Sequence, residues 1–147
     1  MEKPSNNISE KPKKIKLDFK DSKYATGRRK RSIAKVWVKK GKGNIHVNGM
    51  KMNEYFKRPV HQIIVTRPLE ISQVATNYDV NCSVIGGGLS GQAGAIILGI
   101  SKALIAHDEN LKKNLKKDKL TTRDSRVVER KKYGHRKARR SFQFSKR

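Results

Sequence analysis

The chain has few cysteines and few aromatic residues. One residue of 147, Cys82, is cysteine, and 6% of the residues are aromatic. A single cysteine excludes a disulfide within the chain and a metal cluster built from several thiolates. The histidines show no ligand spacing with one another or with the cysteine, so we expect no metal site: His46, His61, His107 and His135.

Long apolar runs are also missing. The longest one, residues 93–100, is well short of the roughly 20 residues that a membrane span needs. The first residues contain no apolar core of a signal peptide, and four acids there (Glu2, Glu10, Asp18, Asp21) are atypical of an organellar transit peptide. We therefore expect an intracellular protein in a reducing compartment, without a membrane partner.

Acidic residues are scarce. The sequence has 12 Asp and Glu against 36 Lys and Arg, which gives a formal net charge of +24. Residues 23–108 carry 14 basic and 4 acidic groups, and residues 109–147 carry 16 and 4. Because this excess repels itself, the composition favours permanent binding to a polyanion. The scattered acids form no catalytic pair, so we expect no enzymatic activity, no cofactor and no small-molecule substrate.

Hydrophobic patterns predict a small α/β core over residues 23–108. Alternation from Ile33 predicts a strand, and residues 45–48 complete a hairpin with it. Residues 61–66 are rich in β-branched side chains and predict a third strand, and alternation over residues 80–85 predicts a fourth. The first strand is expected to turn one set of side chains to the core: Ala34, Val36 and Val38.

Helices are predicted after the third and fourth strands. Residues 68–75 favour one helix, and Ser90 is a plausible N-cap for another that runs to about His107. The apolar stripe of this second helix would cover the sheet: Ala93, Ile96, Ile97, Ile100 and Leu104. Residues 109–132 are expected to form a basic helical extension, with a helix from Thr122 to about Lys132. Residues 1–22 are interpreted as a disordered extension and residues 133–147 as an extended basic tail.

The glycine-rich residues 86–91 fit G-x-G-x-x-G, the pattern of a dinucleotide phosphate loop. However, no strand follows the helix to present an acid to a ribose, and the Lys-Ser/Thr pair of a P-loop is missing. A tight strand-to-helix turn, in which glycine permits positive φ, explains the run better. The amides at the helix start are still suited to receive an RNA phosphate.

Three basic clusters indicate nucleic acid. Residues 28–31 place four cations at the entry to the first strand, and three arginines at near-helical spacing (Arg123, Arg126, Arg130) form a second cluster. Residues 130–147 contain nine Lys or Arg and no acid, so we expect them to stay unstructured until a polyanion binds. A solvated charged surface is the alternative for each cluster alone. The tail also carries flat groups that can stack on unpaired bases: Tyr133, His135, Phe142 and Phe144.

Several short motifs follow one another in a specific order. They are residues 25–30 (ATGRRK), 67–70 (RPLE), 86–88 with 90–95 (GGG and SGQAGA), 122–126 (TRDSR), 129–132 (ERKK), 137–140 (KARR) and 143–147 (QFSKR). In this order they resemble the universal small-subunit ribosomal protein family S-nine, bacterial type. The resemblance covers about residues 24–147, and the ending is its most specific part.

The resemblance implies an α/β two-layer sandwich of βββαβα order, ribosomal S-five domain-two-like, with a left-handed crossover that departs from the usual handedness. It implies a structural role in the head of the small subunit, on the 3′ major domain of the rRNA and beside neighbouring ribosomal proteins. It places the protein in a ribosome of the cytoplasm or of an organelle.

The resemblance also implies site residues. The expected rRNA-binding residues are Arg28, Arg29, Lys30, Arg31, Arg123, Arg126, Arg130, Lys131, Lys132, Arg136, Lys137, Arg139 and Arg140. The tip of the tail is expected to approach phosphates of P-site tRNA with Ser145, Lys146 and Arg147. The sequence departs from the family at residues 97–98 (Ile-Leu for the usual Arg-His) and 141–142 (Ser-Phe for Ala-Pro).

Two other functions stay open at this point. A general basic DNA- or RNA-binding protein is supported by the charge but not by the order of the motifs. A nucleotide-dependent enzyme would use the turn at residues 86–91 and would bind ATP or NAD saturably.

Overall fold

A computed structural model describes residues 20–146, which contain one five-stranded sheet. Its strands are β1 (Lys23–Arg29), β2 (Ser32–Lys40), β3 (Ile45–Val47), β4 (Met50–Lys51) and β5 (Tyr78–Ile85). Their order across the sheet is β1-β2-β5-β3-β4. β3 runs parallel to β5, and the other neighbours are antiparallel. Residues 1–19, most of the predicted disordered extension, lie outside the described residues.

Four helices accompany the described sheet, so the fold is α+β. They are α1 (Met52–Tyr55), α2 (Pro59–Ile71), α3 (Leu89–His107) and α4 (Leu111–Lys117). α3 lies across β1 and β2, and α2 and α4 pack against α3. One face of the sheet therefore carries the helical layer.

The core lies between α3 and the sheet, as the alternation predicted. The inward faces of β2 and β5 are buried, and so is the predicted stripe of α3 except for the half-buried Ile97. Each valine, leucine or isoleucine of this layer contributes about 1.5–3 kcal/mol on full burial. The residues of this layer are Ala34, Val36, Val38, Val80, Cys82, Val84, Ala93, Ile96, Ile100 and Leu104.

The predicted hairpin over residues 33–48 is wrong. β2 forms its hairpin with β1, in a register that runs from Lys23 opposite Val38 to Arg29 opposite Ser32. β3 instead lies beside β5 and pairs with β4. The period of β1 is hard to recognise because its inward face holds the small residues Ala25 and Gly27 between the cations Lys23 and Arg29.

The predicted strand at residues 61–66 is also wrong, because these residues belong to α2. Pro59 stands at the start of this helix, where proline is tolerated. The buried residues of α2 recur at helical spacing, namely His61, Val65, Pro68 and Leu69. This spacing outweighs the β-branched content of the segment. The helix predicted for residues 68–75 is the end of α2, which stops at Ile71.

The predicted long helix from Ser90 to His107 is confirmed as α3, although Gly88 and not Ser90 is its N-cap. The helix predicted from Thr122 to Lys132 is wrong, since residues 123–132 are neither helix nor strand. Val127 and Val128 are 52% and 83% exposed, so this segment buries no apolar stripe that would stabilise a helix.

Two glycines set the position of α3 over the sheet. A Cβ added to Gly27 would overlap the carbonyl oxygen of Ala95 and lie 2.6 Å from the amide nitrogen of Gly99. A Cβ on Gly99 would lie 2.5 Å from a methyl group of Val36. The backbones of β1 and α3 therefore touch where they cross.

The length and composition of α3 are also those of a membrane span, with a mean hydropathy of 1.5. In this fold 61% of that apolar segment is buried inside the protein. Packing on the sheet therefore accounts for its hydropathy.

Candidate nucleic-acid interface

Two tight turns lie side by side at one edge of the sandwich. Lys30, in the turn from β1 to β2, has φ of 51°. Gly86 and Gly87, between β5 and α3, have φ of 74° and 60°, which confirms the strand-to-helix turn. The Oγ of Ser32 donates a hydrogen bond of 3.1 Å to the Gly86 carbonyl. A Cβ on Gly86 would lie 2.5 Å from the Arg31 carbonyl oxygen, so the glycine also permits the turns to pack closely.

A groove of about 560 Å³ opens beside these turns, and we call it the turn groove. In this groove, cations from distant parts of the sequence lie next to the start of α3. The N-cap Gly88 provides no capping side chain for the amides of the first helical turn. Unsatisfied amides and the helix dipole both favour an anion at this place. The groove is lined by Lys30, Arg31, Gly87, Gly88, Val127, Val128, Glu129 and Arg130.

Asp124 joins β1 to the segment that follows α4. Its carboxylate lies 3.2 Å from the Arg29 guanidinium and accepts two side-chain hydrogen bonds from Arg126, of 3.0 and 2.9 Å. The hydrogen bonds from Arg126, with a smaller effect of the Arg29 charge, hold the pKa of Asp124 well below its usual range. The side chain of Arg29 can pass over α3 only because Gly94 has no side chain there, since a Cβ on Gly94 would overlap it. Two predicted RNA-binding arginines therefore also fasten the chain to itself.

A second groove, of about 210 Å³, lies on the other side of Arg29, and we call it the arginine groove. The sequence predicted Arg28 and Arg29 as rRNA-binding residues but did not single out Arg67 and Lys119 as site residues. The fold alone joins them, because α2 and the turn after α4 supply one cation each. The groove is lined by Arg28, Arg29, Ile64, Arg67, Gly94, Ile97, Leu98, Lys119, Leu120, Thr122 and Asp124.

Ile97 and Leu98, the departure from the family pattern, form part of the apolar wall of the arginine groove. Leu98 is buried and Ile97 is half-buried. At these two positions the chain therefore offers packing surface and no side-chain charge.

The tail folds back on itself between residues 135 and 142. The Arg136 amide donates a hydrogen bond of 2.8 Å to the Arg140 carbonyl, and His135 pairs with Ser141 in an isolated β-bridge. The Arg136 guanidinium lies 5.4 Å from the centroid of the Phe142 ring, within range of a cation–π contact. Both residues of the second departure, Ser141 and Phe142, therefore take part in this turn.

Arg139 ties the tail to the turn groove. Its Nε donates a hydrogen bond of 2.9 Å to Glu129, and its terminal nitrogen donates to the other carboxylate oxygen. The hydrogen bond from Arg139 lowers the pKa of Glu129. Since Glu129 lines the turn groove, this pair places the turn of the tail next to it.

The structure distributes the predicted basic residues over several surfaces. Lys30, Arg31 and Arg130 meet in the turn groove, but Arg123, Arg126 and Arg130 do not share a helical face, because no helix forms there. Tyr133 and Phe144 are 101% and 88% exposed. Arg147 lies outside the described residues. The remaining tail cations are exposed: Lys131, Lys132, Arg136, Lys137, Arg140 and Lys146.

Cys82 and two histidines have structural surroundings. Burial raises the pKa of the Cys82 thiol, as expected of a small core residue. His61 packs against Phe56, and the Nε2 of His107 lies 2.9 Å from the Val38 carbonyl oxygen. Within residues 20–146, no group of three or more His, Cys, Asp or Glu could hold a metal ion.

One family model matches the chain, with the description ribosomal protein S9/S16, over residues 27–147. The match begins inside β1 and includes the turn groove, the arginine groove and the tail. It leaves out the whole segment that precedes the sheet and the first four residues of β1.

Proposed function

Because the chain belongs to the ribosomal protein S9/S16 family and is thus a ribosomal protein, we propose that it is a structural constituent of the small subunit. It binds rRNA with its two grooves and reaches P-site tRNA with its tail. The observation that carries the proposal is the turn groove, where three cations and an uncapped helix start share one concave surface.

The turn groove suits an RNA phosphate. Lys30, Arg31 and Arg130 supply positive charge from three parts of the chain, and the first amides of α3 supply donors. Arginine can grip a phosphate with two N–H groups at once, which also fixes its orientation. The arginine groove adds Arg28, Arg67 and Lys119 on the other side of the Asp124 contact.

The rRNA target that we propose is the 3′ major domain in the subunit head, where other ribosomal proteins are neighbours. The resemblance of the ordered motifs supports this placement. In the same proposal, the path from β3 through α1 and α2 to the parallel strand β5 is the left-handed crossover. The ribosome is of bacterial type, in the cytoplasm or in an organelle.

The tail extends this anchored body toward tRNA. The pair of Glu129 and Arg139 holds the turn of the tail beside the turn groove. Beyond the turn at residues 135–142, the tip carries Ser145, Lys146 and Arg147. These residues contact phosphates of P-site tRNA without any chemical step.

The rRNA proposal is tested with a triple variant of the turn groove, Lys30→Gln, Arg31→Gln and Arg130→Gln. Its matched control removes three exposed lysines of α4, Lys112→Gln, Lys113→Gln and Lys116→Gln. Cosedimentation with small subunits is measured as the salt concentration rises. The groove variant is expected to dissociate at clearly lower salt than the control, because it loses specific phosphate contacts.

Dissociation of the two triple variants at the same salt concentration would contradict specific phosphate binding in the turn groove. A salt-titrated comparison of small-subunit rRNA fragments with duplex DNA gives the second control. Equal affinity for both would favour a general basic nucleic-acid-binding protein, because purely electrostatic binding has little preference.

A further inference from the structure

The sheet face opposite the helices carries a second pattern of side chains. Since residues alternate between the two faces of a strand, the buried set on β2 leaves Ile33, Lys35, Trp37 and Lys39 on this open face. The strand register aligns rows of side chains across it. One row is Arg28, Ile33 and Ile85, the next is Thr26, Lys35 and Ser83, and the third is Tyr24, Trp37, Asn81, His46 and Lys51.

Two aromatic side chains lie together in the third row. The rings of Tyr24 and Trp37 have centroids 5.3 Å apart and planes inclined by 44°. Tyr24 is 49% exposed, while Trp37 is half-buried and packs against it. An exposed ring that a second ring holds in place has few conformations to lose on stacking with a flat ligand.

The charge of the open face is strongly positive. Its exposed cations are Lys35, Lys39 and Lys51, and Arg28 lies at the β1 edge of the face, where it also lines the arginine groove. The acid that the described strands place on this face is Asp79, which is the second residue of β5 and lies opposite Lys39. Its carboxylate already accepts backbone hydrogen bonds of 3.0 Å from Lys42 and 2.8 Å from Asn44. The centre of the face therefore offers cations around an aromatic pair.

We propose that this open face binds unpaired RNA nucleotides, with a base stacked on Tyr24 and a backbone phosphate held by Lys35. The inference rests on the proposed rRNA-binding function and adds a surface and a class of RNA to it. Stacking on an exposed aromatic requires a base that is not paired in a helix.

The polar residues of the same rows support RNA as the occupant. Thr26, Ser83 and Asn81 lie between the cations and the aromatic pair, where they can hydrogen-bond base edges or ribose hydroxyls. The exposed apolar pair Ile33 and Ile85 occupies one corner and does not extend across the face. The positive charge of the face thus favours a polyanion, and the exposed ring of Tyr24 favours one that carries flat bases.

Trp37 makes the proposal directly measurable, because it is the only tryptophan in the sequence. The full chain is titrated with a short single-stranded oligoribonucleotide in moderate salt while tryptophan fluorescence is recorded. The control is an abasic oligomer with the same number of phosphates. We expect saturable quenching by the RNA and little by the abasic oligomer. Equal changes with both, or none with the RNA, would overturn the proposal.

Variants separate stacking from charge. Tyr24→Ser is expected to weaken binding of the oligoribonucleotide about tenfold, whereas Tyr24→Phe keeps the ring and should bind like the unaltered chain. Lys35→Gln should weaken binding more than Lys113→Gln, a control with the same charge loss on α4. If Tyr24→Ser binds like the unaltered chain, or if Tyr24→Phe loses as much as Tyr24→Ser, stacking is excluded.

Cosedimentation separates this inference from the proposed function. Tyr24→Ser leaves both grooves intact, so it is still expected to enter small subunits. Loss of quenching with retained cosedimentation supports the open face as an additional RNA surface. Cosedimentation of the unaltered chain without any fluorescence response to RNA would overturn the open-face proposal and leave the proposed function standing.

Discussion

At the scale of single residues, Asp124 determines what two of the basic side chains do. Arg29 comes from β1 and Arg126 from the segment after α4, and both contact the Asp124 carboxylate. The sequence could identify these arginines as basic but not as partners, because they are far apart along the chain. The burial of Cys82, in contrast, follows from the sequence, because the alternating pattern of its own strand places it in the core.

The Asp124 contact has a pH dependence with a definite sign. Because the pKa of Asp124 is lowered in the folded chain, its stabilising effect is present above the unfolded-state pKa of about 3.9. The effect is lost only as the pH falls through the lower pKa of the folded chain. We expect the carboxyl carbon shift of Asp124 in NMR spectra to stay nearly constant from about pH 5 to pH 3. Arg126→Gln should move its titration up toward the ordinary range, and an ordinary midpoint in the unaltered chain would contradict the contact.

Gly27 gives a prediction about packing. Gly27→Ala forces a Cβ into the backbone of α3, so we expect a loss of about 2 kcal/mol in the free energy of unfolding. Gly88→Ala is the matched control, because a Cβ there has no neighbouring atom within 4 Å. Its expected cost is about 0.5 kcal/mol, from the change of N-cap residue. Urea unfolding measures both, and equal losses would show that the close approach of β1 and α3 is not needed.

At the scale of elements, the sequence predicts the strands and helices that have a clear apolar period of their own. β2, β5 and α3 have clear apolar periods and were predicted correctly. The sequence does not predict β1, because its inward face alternates small residues and cations and shows no apolar period. It predicts a strand within α2, because residues 61–66 are rich in β-branched side chains. The helix predicted from Thr122 fails because the segment is fastened by Asp124 and Glu129 and has no apolar face to bury.

Two substitutions in α2 distinguish a helix from the predicted strand. In a strand, Ile63 and Val65 would point to the same face, but in α2 Val65 is buried and Ile63 is 62% exposed. We expect Val65→Ala to lower the free energy of unfolding by about 2 kcal/mol. Ile63→Ala should change it by no more than about 0.5 kcal/mol. Similar losses at both positions in thermal or urea unfolding would favour the strand.

At the scale of the whole molecule, the net charge of +24 is divided among distinct surfaces. The turn groove and the arginine groove flank the Asp124 contact, and the open face lies on the other side of the sheet. The turn of the tail is held by the pair of Glu129 and Arg139. Composition predicted a polyanion as partner. It could not predict this division, because the grooves depend on turns and helices that meet only in three dimensions.

We propose that the body anchors the protein and that the tip of the tail contacts tRNA. The double variant Lys146→Gln and Arg147→Gln tests it in assembled small subunits, with Lys112→Gln and Lys113→Gln as a control of equal charge loss. The measured quantity is the affinity for P-site tRNA at several salt concentrations. We expect both variants to assemble and the tail variant alone to bind tRNA about fivefold more weakly, with a shallower salt dependence. Equal tRNA affinity of the two variants at every salt concentration would contradict the account.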